Sequence, residues 1–132
     1  MAALMAQLGV WKASDLSLQP RSQGARFASR SLGKFGNHAA MIAHREGDGS
    51  AELHRSEADV FVVQAGTARL IVGGSIVNGR ATGPGEIRGA SIMNGMEREL
   101  STGDIVHIAA NTPHRLVHAK GFTYLAIKVS AR

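Results

Sequence analysis

From residue 37 onward, short apolar runs in this chain alternate with glycine, asparagine and aspartate. That punctuation constrains the fold more than any other feature. A helix needs about ten residues of unbroken period, whereas a strand needs only about four to eight. The spacing predicts strands over residues 38–44, 51–54 and 59–64, with a turn at 46–49. Ala65 and Gly66 read as a turn that sends residues 67–72 back, and Gly73 and Gly74 turn the chain again before 75–77. Residues 78–95, rich in glycine and carrying Pro84, read as a long hairpin or loop. Further strands follow over 96–100, 105–108, 115–119 and 122–129. About eight to ten short strands with no helix among them predict an all-β, antiparallel sandwich or barrel, of which the jelly-roll β-barrel is one closed form.

Residues 1–33 read differently, as an N-terminal arm beside a barrel domain of residues 34–132. Ser14 and Asp15 suit the start of a short helix, Pro20 interrupts, and 24–32 suits another turn or two. With 132 residues the chain is one domain by length and long enough to bury a core without staples. It has no cysteine, which excludes disulfides and thiolate chemistry. The start lacks the basic segment of a signal peptide, and no apolar run is long enough to span a bilayer, so the expected setting is cytoplasmic, without a membrane partner. The net charge of +5 is spread along the chain with few aromatic residues among the arginines, which argues against nucleic acid as a partner.

The residues that carry chemistry cluster between Glu52 and Gly66. Glu52 and His54 stand two apart in a strand, so they project from one face. Asp59 opens the next strand with Phe61 and Val63 on its face, and His114 arrives from far downstream. Carboxylates and imidazoles that converge must be hydrogen-bonded to one another or share a cation. In a plainer reading Glu52 and His54 merely pair and His114 is a satisfied core residue.

These positions resemble the two motifs of small single-domain cupins. In the first family motif two histidines one residue apart are followed by a glutamate and a glycine, and Glu52, His54, Asp59 and Gly66 fall at those spacings. Gly103, His114 and His118 fall at the glycine, histidine and asparagine of the second, with Pro113 just before His114. The chain departs from the pattern where Glu52 replaces a histidine, Asp59 the glutamate, His118 the asparagine, and Ala109 and Asn111 the proline and glycine of the second motif. The resemblance implies a divalent metal ion held by Glu52, His54, Asp59 and His114. Carboxylate and imidazole without sulfur suit Mn, Fe, Ni or Zn.

Resemblance further implies a homodimer and a small organic molecule as substrate or ligand in the barrel, with a lyase, isomerase or dioxygenase reaction. The alternative is a non-catalytic, even metal-free, ligand-binding module. Glu52 and His118 are the candidates for moving protons. Phe61, His118 and Arg88 are the candidates for contacting substrate, with Arg88 reaching the barrel mouth from the glycine-rich segment to clamp an anion.

Overall fold

A computed structural model describes residues 8–18 and 26–131 of the protein. Its strands in chain order are β1 (Phe27–Lys34), β2 (His38–Gly47), β3 (Ala51–His54), β4 (Glu57–Val72), β5 (Ser75–Val77), β6 (Arg80–Gly83), β7 (Glu86–Gly89), β8 (Ser91–Met93), β9 (Met96–Ser101), β10 (Ile105–Ile108) and β11 (His114–Ser130). All pairings are antiparallel, as a jelly-roll barrel requires. The fold class read from the sequence is therefore the observed one.

The architecture hangs on β4 and β11, of 16 and 17 residues. They run side by side for their whole length, from Glu57 opposite Ser130 to Val72 opposite His114. The turn expected at Ala65 and Gly66 is instead a bend within one continuous strand, and the two strands expected over 115–119 and 122–129 are one. The reason lies where the partners cross. Gly66 has a φ of +77°, and a Cβ there would overlap the carbonyl oxygens of Lys120 and Gly121. A glycine lets the two backbones touch and the curled sheet change direction without ending the ladder. On the outer edges, β4 also carries β9 and β10, while β11 carries β2 and β3.

The inward face of these strands makes the core. Phe61, Val63, Leu70, Leu116, Phe122 and Tyr124 are all buried in one apolar cluster. The Tyr124 ring packs against both Phe61 and Phe122, at centroid distances of 5.0 and 5.1 Å. Alternation along β4 puts Asp59 on the same face as Phe61 and Val63, so one polar residue continues the apolar row at the barrel's end.

One other segment differs from expectation. Phe27–Lys34 is a strand paired with β2, not a helical turn, and the expected arm boundary at 33/34 falls within it. The expected turn at 24 and 25 lies outside the described residues. Of the hairpin or loop expected over 78–95 the structure has the hairpin: β6 and β7 pair beside β3, and β8 returns to pair with β5. The short helix at the start of the arm is present as a 3-10 turn, Ala13–Leu16, where the Lys12 amide donates to the Asp15 carboxylate at 3.0 Å. Trp11 then packs edge-on against Phe35, 6.2 Å between centroids. No helix among the described residues is long and apolar enough to cross a membrane.

Candidate metal centre

Strand register assembles the site. β3 ends at His54, Asp59 lies near the start of β4, and β11 begins at His114. His114 pairs with Glu52, His54 with Glu86, Glu52 with Arg88, and Asp59 with Lys128. Side chains opposite each other in an antiparallel pair share a face, so these seven polar groups from four strands line a cavity of about 220 Å³. Phe61, Met41 and Ala126 line its apolar side, and Phe27 stands at its rim.

At the deepest point, His54, Asp59 and His114 form a triangle. Their exposures of 5, 1 and 3 % leave these groups almost no water to solvate them. Both Nε2 atoms lie 3.5 Å from the same oxygen, Asp59 Oδ2, and the three donor atoms are mutually close enough to bind one ion. Nitrogen and oxygen ligands about 2.1 Å from zinc in a tetrahedral site stand about 3.4 Å from one another, so the triangle has the right edge.

The rings are also turned the right way. His54 Nδ1 is held by the Glu86 carboxylate, and His114 Nδ1 donates to the Thr112 carbonyl at 3.0 Å. Each Nδ1 thus carries the proton, and each Nε2 lone pair points at Asp59. Such outer hydrogen bonds fix the tautomer and orientation of metal-binding histidines. Burial holds the His114 imidazole below the usual histidine range, against the pull of the Asp59 and Glu52 charges, so that ring is neutral at pH 7. The donor set fits a divalent ion.

A side-chain cation shares the triangle. Lys128 Nζ donates to Asp59 Oδ1 at 2.9 Å and lies 3.3 Å from His54 Nε2. A buried carboxylate needs a counter-charge, and this ammonium supplies one on the oxygen that the histidines leave free.

Glu52 lines the same cavity but is not brought into the triangle. It turns to Arg88, 2.9 Å from Nη2, and more distantly to Arg45, at 4.0 Å. Two guanidiniums outcompete the histidines for this carboxylate because the pairing of Glu52 with Arg88 across β3 and β7 places them face to face. Phe61 and Arg88 both line the cavity.

His118 does not reach it, and its expected part in proton transfer and substrate contact has no geometry behind it. In a regular strand it would share the inward face of His114 and Leu116. Its φ of +54° instead breaks the alternation, its amide donates to Asp48 at 2.7 Å, Ala119 takes the inward place, and the imidazole is exposed. His44 is buried between Thr123 (2.7 Å) and Glu46 (2.6 Å) on the opposite side of β2 from Met41 and Arg45.

Three site residues escaped the sequence: Lys128, Arg45 and Tyr124. For two of them a signal existed. Phe122, Tyr124, Ala126 and Lys128 alternate along the last strand, and that row is the inward one.

No protein-family model and no curated protein sequence matches the chain. Solved structures do match its fold. KdgF from Halomonas sp. superposes with a TM-score of 0.62 at 12% identity, over 94% of this chain and 96% of that one. An uncharacterized conserved protein with a double-stranded β-helix domain from Klebsiella pneumoniae gives 0.64 at 15% identity, over 93% and 90%. A cupin superfamily protein from Desulfitobacterium hafniense gives 0.57 at 13% identity, over 86% and 84%.

Proposed function

On the cupin double-stranded β-helix that this chain adopts, we propose a divalent metal centre that acts on a small organic molecule within the barrel, in a reaction of the lyase, isomerase or dioxygenase type. The observation that carries this reading is the convergence of two Nε2 lone pairs, each fixed through its own Nδ1, on one oxygen of Asp59. His54, Asp59 and His114 would hold the ion. Three protein ligands leave coordination positions for water or substrate, the mark of a catalytic rather than a structural site.

When bound, the ion would supply Lewis acidity to a substrate oxygen. The chain's own residues do the rest. Glu86 keeps the His54 ring in its productive tautomer. Lys128 holds Asp59 Oδ1, so that only Oδ2 faces the histidines. Phe61, Met41 and Ala126 keep water from the floor of the cavity. Glu52 serves as counter-ion to Arg88.

A second reading rests on Lys128. Its ammonium already neutralises Asp59, and a lysine in that place suits a barrel that binds its ligand without metal or turnover. A homodimer in the cytoplasm completes either reading. Exposed Met96 and Ile105, at 56 and 72 %, line one shallow apolar groove that supports self-association. Light scattering at monomer mass would remove that part.

Elemental analysis decides between the two. Protein purified without chelator or affinity metal is compared with a His54→Ala, His114→Ala variant. Close to one equivalent of Mn, Fe, Ni or Zn in the parent only is the expected result. No metal in either, and no uptake on titration, would leave the metal-free binding module. Oxygen consumption by an iron-loaded form would select the dioxygenase class, and turnover with Zn or Ni without oxygen the other two.

A further inference from the structure

Across the cavity from the metal centre stands a second polar pole, made by Arg45 and Tyr124. Inward positions alternate along the three strands that wall the cavity. They read Lys128, Ala126, Tyr124 on β11 and Asp59, Phe61, Val63 on β4, with Met41, Ala43 and Arg45 on β2. Lys128 and Tyr124 are four residues apart on one strand, so about 13 Å of backbone separates their Cα atoms. Met41, Phe61 and Ala126 fill the row between them. Along this wall the cavity is therefore polar at both ends and apolar in the middle, while Glu52 and Arg88 line its other side.

Arg45 has an unusual set of partners. Its side chain is 16 % exposed. Its Nε donates to the Tyr124 hydroxyl at 3.0 Å, and its guanidinium carbon sits 4.5 Å from the centre of the Phe27 ring. The nearest carboxylate, Glu52, is 4.0 Å from Nη2, outside hydrogen-bond reach. Among the described residues the two Nη groups have no hydrogen-bond acceptor. Arg88, by contrast, spends Nη2 on Glu52 and Nη1 on Ser50. Tyr124 is also incomplete. Its oxygen accepts from Arg45, and among the described residues its hydroxyl hydrogen has no acceptor. A guanidinium held at one edge by a phenol and seated over an aromatic ring is pre-set to receive an anion at its free edge.

Charge points the same way. Three cations (Arg45, Arg88, Lys128) and three carboxylates (Glu52, Asp59, Glu86) line the cavity and cancel. A divalent ion in the triangle would leave a positive excess for the ligand to balance.

We propose that Arg45 and Tyr124 bind the carboxylate of a small organic acid, whose short carbon chain crosses Phe61, Met41 and Ala126 and whose far end presents an oxygen to the His54–Asp59–His114 centre. The far-end placement rests on the metal reading above, whereas the anion pole does not. One guanidinium fork with one hydroxyl donor matches a planar carboxylate rather than a phosphate, which draws more cations.

Calorimetry on the full chain, zinc-loaded and chelator-treated in parallel, tests this with pyruvate, malonate and succinate as probes, each beside its uncharged amide, and with inorganic phosphate. At least one acid should bind, its amide about tenfold or more weakly, a difference of about 1.4 kcal/mol. Phosphate should not displace it. Arg45→Gln should weaken the acid by about tenfold and Tyr124→Phe by severalfold, while Arg98→Gln, which removes the same charge from an exposed site, should leave it within about twofold. Equal binding of acid and amide, retention in Arg45→Gln, displacement by phosphate, or no binding of any acid would each overturn the proposal. The acid–amide comparison needs no variant, so a folding defect cannot mask the answer. Acid binding without metal uptake would sink the metal centre and leave the anion pole standing. Metal uptake without acid binding would do the reverse.

Discussion

Lys128 Nζ lies 2.9 Å from Asp59 Oδ1, and the Nε2 atoms of His54 and His114 each lie 3.5 Å from Asp59 Oδ2. One carboxylate is thus shared between an ammonium and a pair of lone pairs. The ammonium and a divalent ion would both draw on the charge of Asp59, and Lys128 also contacts the lone pair of His54.

Lys128→Met should therefore tighten zinc binding, by about tenfold, while costing the metal-free protein about 2 kcal/mol or more, because Asp59 is left buried without its counter-ion. Zinc titration and urea unfolding of the same variant check both halves. Unchanged zinc affinity would show that the lysine and the ion do not compete.

Glu86→Gln should weaken metal binding by about 10- to 100-fold, the usual effect of losing the outer partner of a ligating histidine. The amide can still accept from His54 Nδ1, but without the charge that makes the ring a better donor to metal. Glu86 sits on an outlying hairpin, so the thermal midpoint of the metal-free protein should barely move.

Gly66→Ala should destabilise the fold by about 2–4 kcal/mol, since it combines a left-handed backbone with overlap onto the carbonyls of β11. Chemical denaturation measures this. A loss below about 0.5 kcal/mol would mean that the bend adjusts more easily than the close approach suggests.

Acid stability should depend on Glu46. Its carboxylate accepts from the Gly121 amide at 2.9 Å and contacts His44, and these hold its pKa below the usual glutamate range. A depressed carboxylate binds fewer protons in the fold than in the unfolded chain. Its contribution is present above about pH 4.5 and is lost as the pH falls through the folded value. Glu46→Gln should flatten that part of the stability–pH curve, followed by thermal midpoints between pH 3 and 7.

His118→Ala should leave zinc binding and thermal stability unchanged within error, because the imidazole is exposed and makes its one polar contact through its backbone amide. A drop in metal stoichiometry would reinstate it in the site.

The sequence revealed the all-β class because glycine and asparagine punctuation survives any register. His54 and Asp59 came forward because they lie close together at neighbouring strand ends, and His114, far downstream, only through the resemblance to the second cupin motif. The sequence hid Lys128, since its place depends on which residues face each other across the β4–β11 ladder, a long-range fact. It misplaced His118 for a subtler reason. A single left-handed residue reverses the inside–outside alternation, and His118 has no glycine-like signature to announce it. The bend at Gly66 looked like a turn because both need the same residue.

The centre and the anion pole differ in how freely they can change. Asp59, Lys128, Tyr124 and Arg45 stand on the long strands that also carry the core, so a shift of register there would rebuild the barrel. Glu86 and Arg88 ride on the β6–β7 hairpin, which joins the sheet by pairing with β3. An evolving lineage can exchange that hairpin as a cassette, retuning the histidine tautomer and the mouth of the cavity while the inherited frame stays intact.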